Sequence, residues 1–84
     1  MSMRPIHKNG TISTSDVVLS FGQTIKRLEI NNTHASNNLL VTFDDTNYFT
    51  VRAETILKLD VKVTSVTIKG SGAGTTYEVL GMTG

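Results

Sequence analysis

A two-residue alternation of apolar side chains recurs in short runs from Val17 to Val79, and it limits what this chain can fold into more than any other feature. In TSDVVLSF, Val17, Leu19 and Phe21 fall on one face, and Asp16, Val18 and Ser20 on the other. In IKRLEIN, Lys26, Leu28 and Ile30 alternate with Arg27 and Glu29, the pattern of a strand with one packed and one wet face. LLVTF repeats it through Leu39, Val41 and Phe43, and YFTV through Phe49 and Val51. ILKLDV (Leu57, Leu59, Val61), SVTIK (Val66, Ile68) and TYEVL (Tyr77, Val79) complete the series. Thr, Val and Ile together make up about a third of the residues, and branching at the β-carbon favours a pleated strand over a helix. GQTIKRLEI, with Ile25 and Leu28 three apart, is the one window that competes as a helix. Its run to Ile30 fits the two-residue period better and ends in the helix-poor NNTHASNN.

About seven short strands at close spacing predict an all-β fold: a single small antiparallel β-sandwich, jelly-roll or immunoglobulin-like. The breaks between strands have turn chemistry. Asn31 to Asn38 is rich in Asn, Ser and Thr, whose side chains bond to nearby backbone, and DDTN (Asp44 to Asn47) reads as a hairpin turn. Arg52 to Thr55 is a further polar connection. Residues 1–10 show no alternation, hold the only proline (Pro5) and carry Arg4, His7 and Lys8; they read as an extended N-terminal arm. The sandwich domain is then expected over residues 11–84.

A chain of 84 residues makes one domain, which buries roughly 60 to 65% of the surface its unfolded form exposes. With no cysteine there is no disulfide or thiolate metal site to assist the core, so a partner surface is the expected source of further stability. Eight Lys or Arg against seven Asp or Glu leave a net charge of +1, without the basic footprint of a nucleic-acid binder. No apolar stretch approaches the roughly 18 residues of a membrane-spanning helix, and residues 1–10 lack the apolar segment of a signal peptide. The chain is expected to be soluble.

Several groups of residues invite a chemical reading. KGSGAGTTYEVLG sets Gly70, Gly72 and Gly74 at every second position after an apolar run, as at the start of a nucleotide-binding loop. Phosphate binding there needs a helix after the glycines, whose free N–H groups hold the pyrophosphate, and here a strand follows. The spacing also lacks the third interval of G-x-G-x-x-G, and Lys69 precedes the glycines. The run is therefore expected to be a flexible hairpin linking the last two strands. Asp44, Asp45 and Asn47 sit too close together for a calcium loop, which spaces its donors over about a dozen residues. His7 and His34 have no second ligand at metal spacing. No nucleophile-elbow sequence accompanies the serines. The expectation is a protein without catalytic, cofactor-binding or metal-ligating residues.

The stretch NNLLVTFDDTNYFTVRAETILKLDVKVTSVTIKGSGAGTTYEVLG, more than half the chain, resembles small virion proteins of tailed bacteriophages. The shared pattern is an Asn-rich turn, a strand ending in F-D, a turn into Y-F-x-V, an L-x-L-D strand, then V-x-S-V-x-I-K-G-S and a closing strand. The matching pieces are Asn37 to Asp44, Tyr48 to Val51, Leu57 to Asp60 and Val63 to Ser71. The resemblance implies a β-sandwich that decorates or cements the capsid exterior, with the major capsid protein or other virion proteins as partners. It also implies a symmetric homo-oligomer, a trimer ahead of a dimer. A tail or fibre component, or a carbohydrate-binding host-attachment module, is the alternative. With no Trp and only two Tyr, aromatic stacking on sugars is limited. Arg4, Pro5, Ile6, His7 and Lys8 of the arm are the expected partner contacts, since an extended arm can order along a neighbouring subunit.

Overall fold

The computed structural model describes residues 5–83. Eight strands run through them: β1 (Pro5–Ile12), β2 (Val17–Ile25), β3 (Arg27–Asn32), β4 (Leu39–Thr42), β5 (Tyr48–Val51), β6 (Ile56–Leu59), β7 (Val63–Gly70) and β8 (Thr75–Met82). No helix occurs among the described residues. The strands form two antiparallel four-stranded sheets, one in the order β1-β8-β3-β6 (sheet A) and the other β2-β7-β4-β5 (sheet B). Every connection crosses between the sheets except β4 to β5, which stay together as a hairpin. Two four-stranded sheets wound in this way are the eight-stranded jelly roll. The immunoglobulin-like alternative, with seven strands split four and three, does not fit.

The core lies between the sheets and is filled by the alternating residues of the interior strands. Leu28 and Ile30 of β3 and Val79 of β8 face Leu39 and Val41 of β4 and Val66 and Ile68 of β7, all of them buried. Leu19, Phe21 and Ile25 from β2, Val51 from β5, Tyr77 from β8 and Ile12 from β1 enclose this centre. Burying each large aliphatic side chain contributes about 1.5–3 kcal/mol. The layers meet closely at Gly81: a Cβ there would stand 2.9 Å from Ile25 and 3.1 Å from the Phe21 ring.

Three expectations are corrected. The first is the arm, since Pro5–Ile12 pairs with Met82–Thr75 in unbroken antiparallel register and is an edge strand of sheet A. The second is the strand spanning Ile25 to Asn31. The chain changes sheets at Lys26, whose N–H donates to the Met82 carbonyl (2.7 Å), while the Lys26 carbonyl accepts from the Val61 N–H (3.1 Å). With β1 added, the strand number is eight. The third is the glycine-rich hairpin, because β7 and β8 belong to different sheets and Ser71–Gly74 bridges them as an arch.

That arch is held firmly. The Gly70 N–H donates to the Ser13 carbonyl (2.8 Å) and the Ser71 N–H to the Asn38 carbonyl (2.9 Å), while the Asn38 N–H donates to Ser71 Oγ (2.9 Å). Thr75 Oγ1 closes the turn on the Gly72 carbonyl at 2.8 Å. The β3–β4 connection packs against the arch and is organised by Asn32, fully buried. Its Nδ2 donates to the carbonyls of Asn37 (2.8 Å) and Val51 (3.0 Å), and its Oδ1 accepts from the His34 N–H (3.0 Å).

Candidate interaction surface

Pairing with β8 assigns each residue of β1 to a face. Ile6, Lys8, Gly10 and Ile12 share the inner phase with Gly81, Val79, Tyr77 and Thr75, whereas Pro5, His7, Asn9 and Thr11 share the outer phase with Met82, Leu80, Glu78 and Thr76. The residues expected to make contacts are thereby divided. Pro5 and His7 are exposed on the outer face; Ile6 and Lys8 are half-buried on the inner side, and Ile6 packs against the core. Arg4 lies outside the described residues.

Across the outer face of sheet A, register aligns His7, Leu80, Glu29 and Lys58 in one row and Asn9, Glu78, Asn31 and Ile56 in the next. Between the rows is a shallow groove of about 170 Å³, lined by His7, Glu29, Asn31, Ile56, Glu78, Val79 and Leu80. Ile56 is 55% exposed there. Neither Glu29 nor Glu78 has an ion pair among the described residues; the one pair on this face joins Arg27 Nε to Asp60 Oδ1 at 3.0 Å, with both side chains in solvent. Such exposed pairs contribute little, so the face is a solvated polar surface in which Leu80 and Ile56 stand as separate apolar side chains on either side of β3.

On the outer face of sheet B part of the surface is covered by the sheet's own side chains, while Val18 of β2 stays 64% exposed. Tyr48 on β5 donates its hydroxyl to the Asp16 carboxylate (3.1 and 3.2 Å), and Lys69 Nζ lies 4.3 Å from the centre of its ring. In the same row, Thr42 and Thr67 are buried, and their hydroxyls bond to Asp44 (3.0 Å) and Asp45 (3.4 Å). Partial desolvation, then the hydrogen bond and charge of Asp16, raise the Tyr48 pKa above its ordinary 10.0. Asp44 Oδ1 accepts the backbone N–H groups of Asn47 (2.8 Å) and Thr46 (2.9 Å), which hold its carboxyl far below the usual carboxylate range. The DDTN segment is the expected hairpin turn, with Asp45 at φ 60°.

Apart from His7, exposed beside the groove, the residues weighed as chemical groups have structural partners. His34 Nδ1 accepts from the N–H groups of Ser36 (3.1 Å) and Asn37 (2.8 Å), so it caps its own loop. In the glycine-rich arch, the N–H groups of Gly70 and Ser71 are already bonded to carbonyls, which removes them as phosphate donors. Among the described residues no three His, Cys, Asp or Glu side chains converge as a metal site.

The four sheet edges differ. β5 and β6 are four residues long, and β2 slips register between Ser20 and Ile25, where Gly22 takes φ 74°. β1 alone offers eight residues in continuous register with one side unpaired. Unpaired strand edges are templates for further pairing, and bulges and short length are the usual protections. Arg4 to Lys8 were expected as contacts on a free arm, and residues 5–8 instead belong to the edge strand β1; the Tyr48, Lys69 and Asp16 cluster, drawn from separate parts of the chain, had no sequence signal.

No family model matches this chain, and no curated protein sequence matches it.

Proposed function

We propose that this protein is a structural virion component that binds and stabilises a bacteriophage capsid surface as a decoration or cement protein, acting by contact and without catalysis. The observation that carries the reading is the single tied-down jelly roll with one long open edge beside a polar face, together with the virion-protein resemblance of Asn37 to Gly81. A cement protein needs a rigid body and main-chain or side-chain groups left over for a neighbour. Many copies on one lattice then reinforce contacts that are individually weak. The partners are the major capsid protein or other virion proteins, and further copies of the chain itself. Fold alone does not fix function, so the surface and the resemblance carry the weight.

The test is localisation by electron microscopy on virions that carry the chain. A regular array of copies over the head is the expected result. A few copies at the tail would replace this reading with a tail or fibre role, and absence from purified particles would overturn both.

A further inference from the structure

We propose that β1 pairs antiparallel with β1 of a second copy about a two-fold axis through Asn9, joining two copies of sheet A into one continuous eight-stranded sheet. This rests on the homo-oligomer element of the reading above, and makes the assembly a dimer where the resemblance implies a trimer.

The register follows from the side chains. Residues directly opposite one another in an antiparallel pair share a face, so an axis between two residues would set inner side chains of one copy against outer ones of the other. An axis on Lys8 would bring two ammonium groups face to face, which is destabilising. An axis on Gly10 would confine the pairing to Lys8–Ile12. An axis on Asn9 uses Ile6–Ile12 and leaves Pro5, which has no N–H to donate, just outside the paired segment. It sets Ile6 against Ile12, His7 against Thr11, Lys8 against Gly10 and Asn9 against itself, with roughly six to eight main-chain hydrogen bonds.

A separate observation favours the same register. A Cβ on Gly10 would lie 3.2 Å from the Tyr77 hydroxyl oxygen, so that oxygen stands beside the bare backbone of Gly10. Tyr77 is 7% exposed. Its hydroxyl bonds to no protein group among the described residues, yet no buried side-chain oxygen there is left unsatisfied, so the hydroxyl reaches solvent at this edge. In the Asn9-centred pairing Lys8 of the second copy lies opposite Gly10, where its ammonium can donate to this oxygen. Lys8 would otherwise act as a guard against edge pairing; here it selects one register. β2, which packs beside β1 as the edge of the other sheet, adds Val17, 36% exposed in the inner phase, to the same border.

The native chain has no cysteine, which permits a direct test. Asn9→Cys should form a disulfide-linked dimer under mild oxidation, because directly opposed residues meet disulfide geometry. His7→Cys alone should remain unlinked, and His7→Cys combined with Thr11→Cys should link. Asn9→Lys and Asn9→Asp should each weaken self-association by up to about fivefold through like charges at the axis, and an equimolar mixture of the two should restore it. Light scattering on the native chain should give a dimer. A monomer up to about 1 mM, a trimer, or a dimer in which Asn9→Cys stays reduced while circular dichroism shows a folded chain would each overturn the proposal. Because these measurements use the isolated chain, their failure is distinct from a failure to find the protein on particles.

Discussion

Asn32 shows how a single buried amide can organise one end of the sandwich. All three of its bonds go to main-chain groups, two in its own loop and one at Val51 of the other sheet. Asn32→Ala leaves the Asn37 and Val51 carbonyls without that donor, so a loss of about 1–3 kcal/mol is expected in urea unfolding. Asp44 gives a pH-dependent counterpart. Its folded pKa lies below the unfolded value of 3.8, so its contribution is present in full above that value and is lost as pH falls further toward the folded one. The stability gap between the native chain and Asp44→Ala should therefore be largest near neutral pH and shrink as the pH is taken below about 4. A gap that stays constant with pH would show that its bonds to the turn N–H groups do not favour the ionised form. The turn role of Asp44 was legible, since Asp and Asn mark such turns locally. Asn32 was not: it falls in an Asn-rich run where nothing in the sequence distinguishes the buried amide from its exposed neighbours.

The strands that could be read in advance are those whose two faces differ in polarity. β3 and β8 bury Leu28, Ile30, Tyr77 and Val79 in the anticipated phase. β1 escaped because its inward positions are Ile6, Lys8, Gly10 and Ile12, and at an edge a lysine stem can lie along apolar surface with its head in water. The β7–β8 connection was legible as a glycine-rich reversal but not as a bridge between sheets, because local sequence does not say which strand the chain will pair with next. Its glycines have different reasons, and mutation separates them. At Gly70 a Cβ would lie 2.5 Å from Thr75 Oγ1 and 2.9 Å from the Gly72 carbonyl oxygen, whereas at Gly74 it meets nothing within 4 Å but the backbone sits at φ 79°. Gly70→Ala is expected to cost about 1–3 kcal/mol by overpacking and to loosen the bond from its N–H to Ser13. Gly74→Ala pays only for the left-handed backbone, about 1 kcal/mol. Chemical denaturation of the two variants side by side should give the larger loss at Gly70.

At the scale of the whole molecule, the jelly roll makes the two ends of the described chain interdependent. β8 lies between β1 and β3, so it carries its full complement of ladder bonds only when both neighbours are present. Removing residues 1–10 would take away most of β1, strip one side of β8, and remove Ile6 from the rim of the core. An arm that orders only on a partner could be deleted with no loss to the isolated fold, whereas deletion of an integral edge strand leaves a small core short of one wall. The truncated chain should therefore lose its sharp thermal transition by circular dichroism and the dispersed amide spectrum of a packed β-protein. Retention of both would mean that β1 is dispensable, and the edge proposed for self-pairing would then carry no structural weight in the monomer. The same dependence means that loss of particle binding by this truncation could not separate a lost contact from a lost fold. Exposed substitutions on the outer face of β1, such as Asn9→Lys, leave the inner packing in place and make that separation.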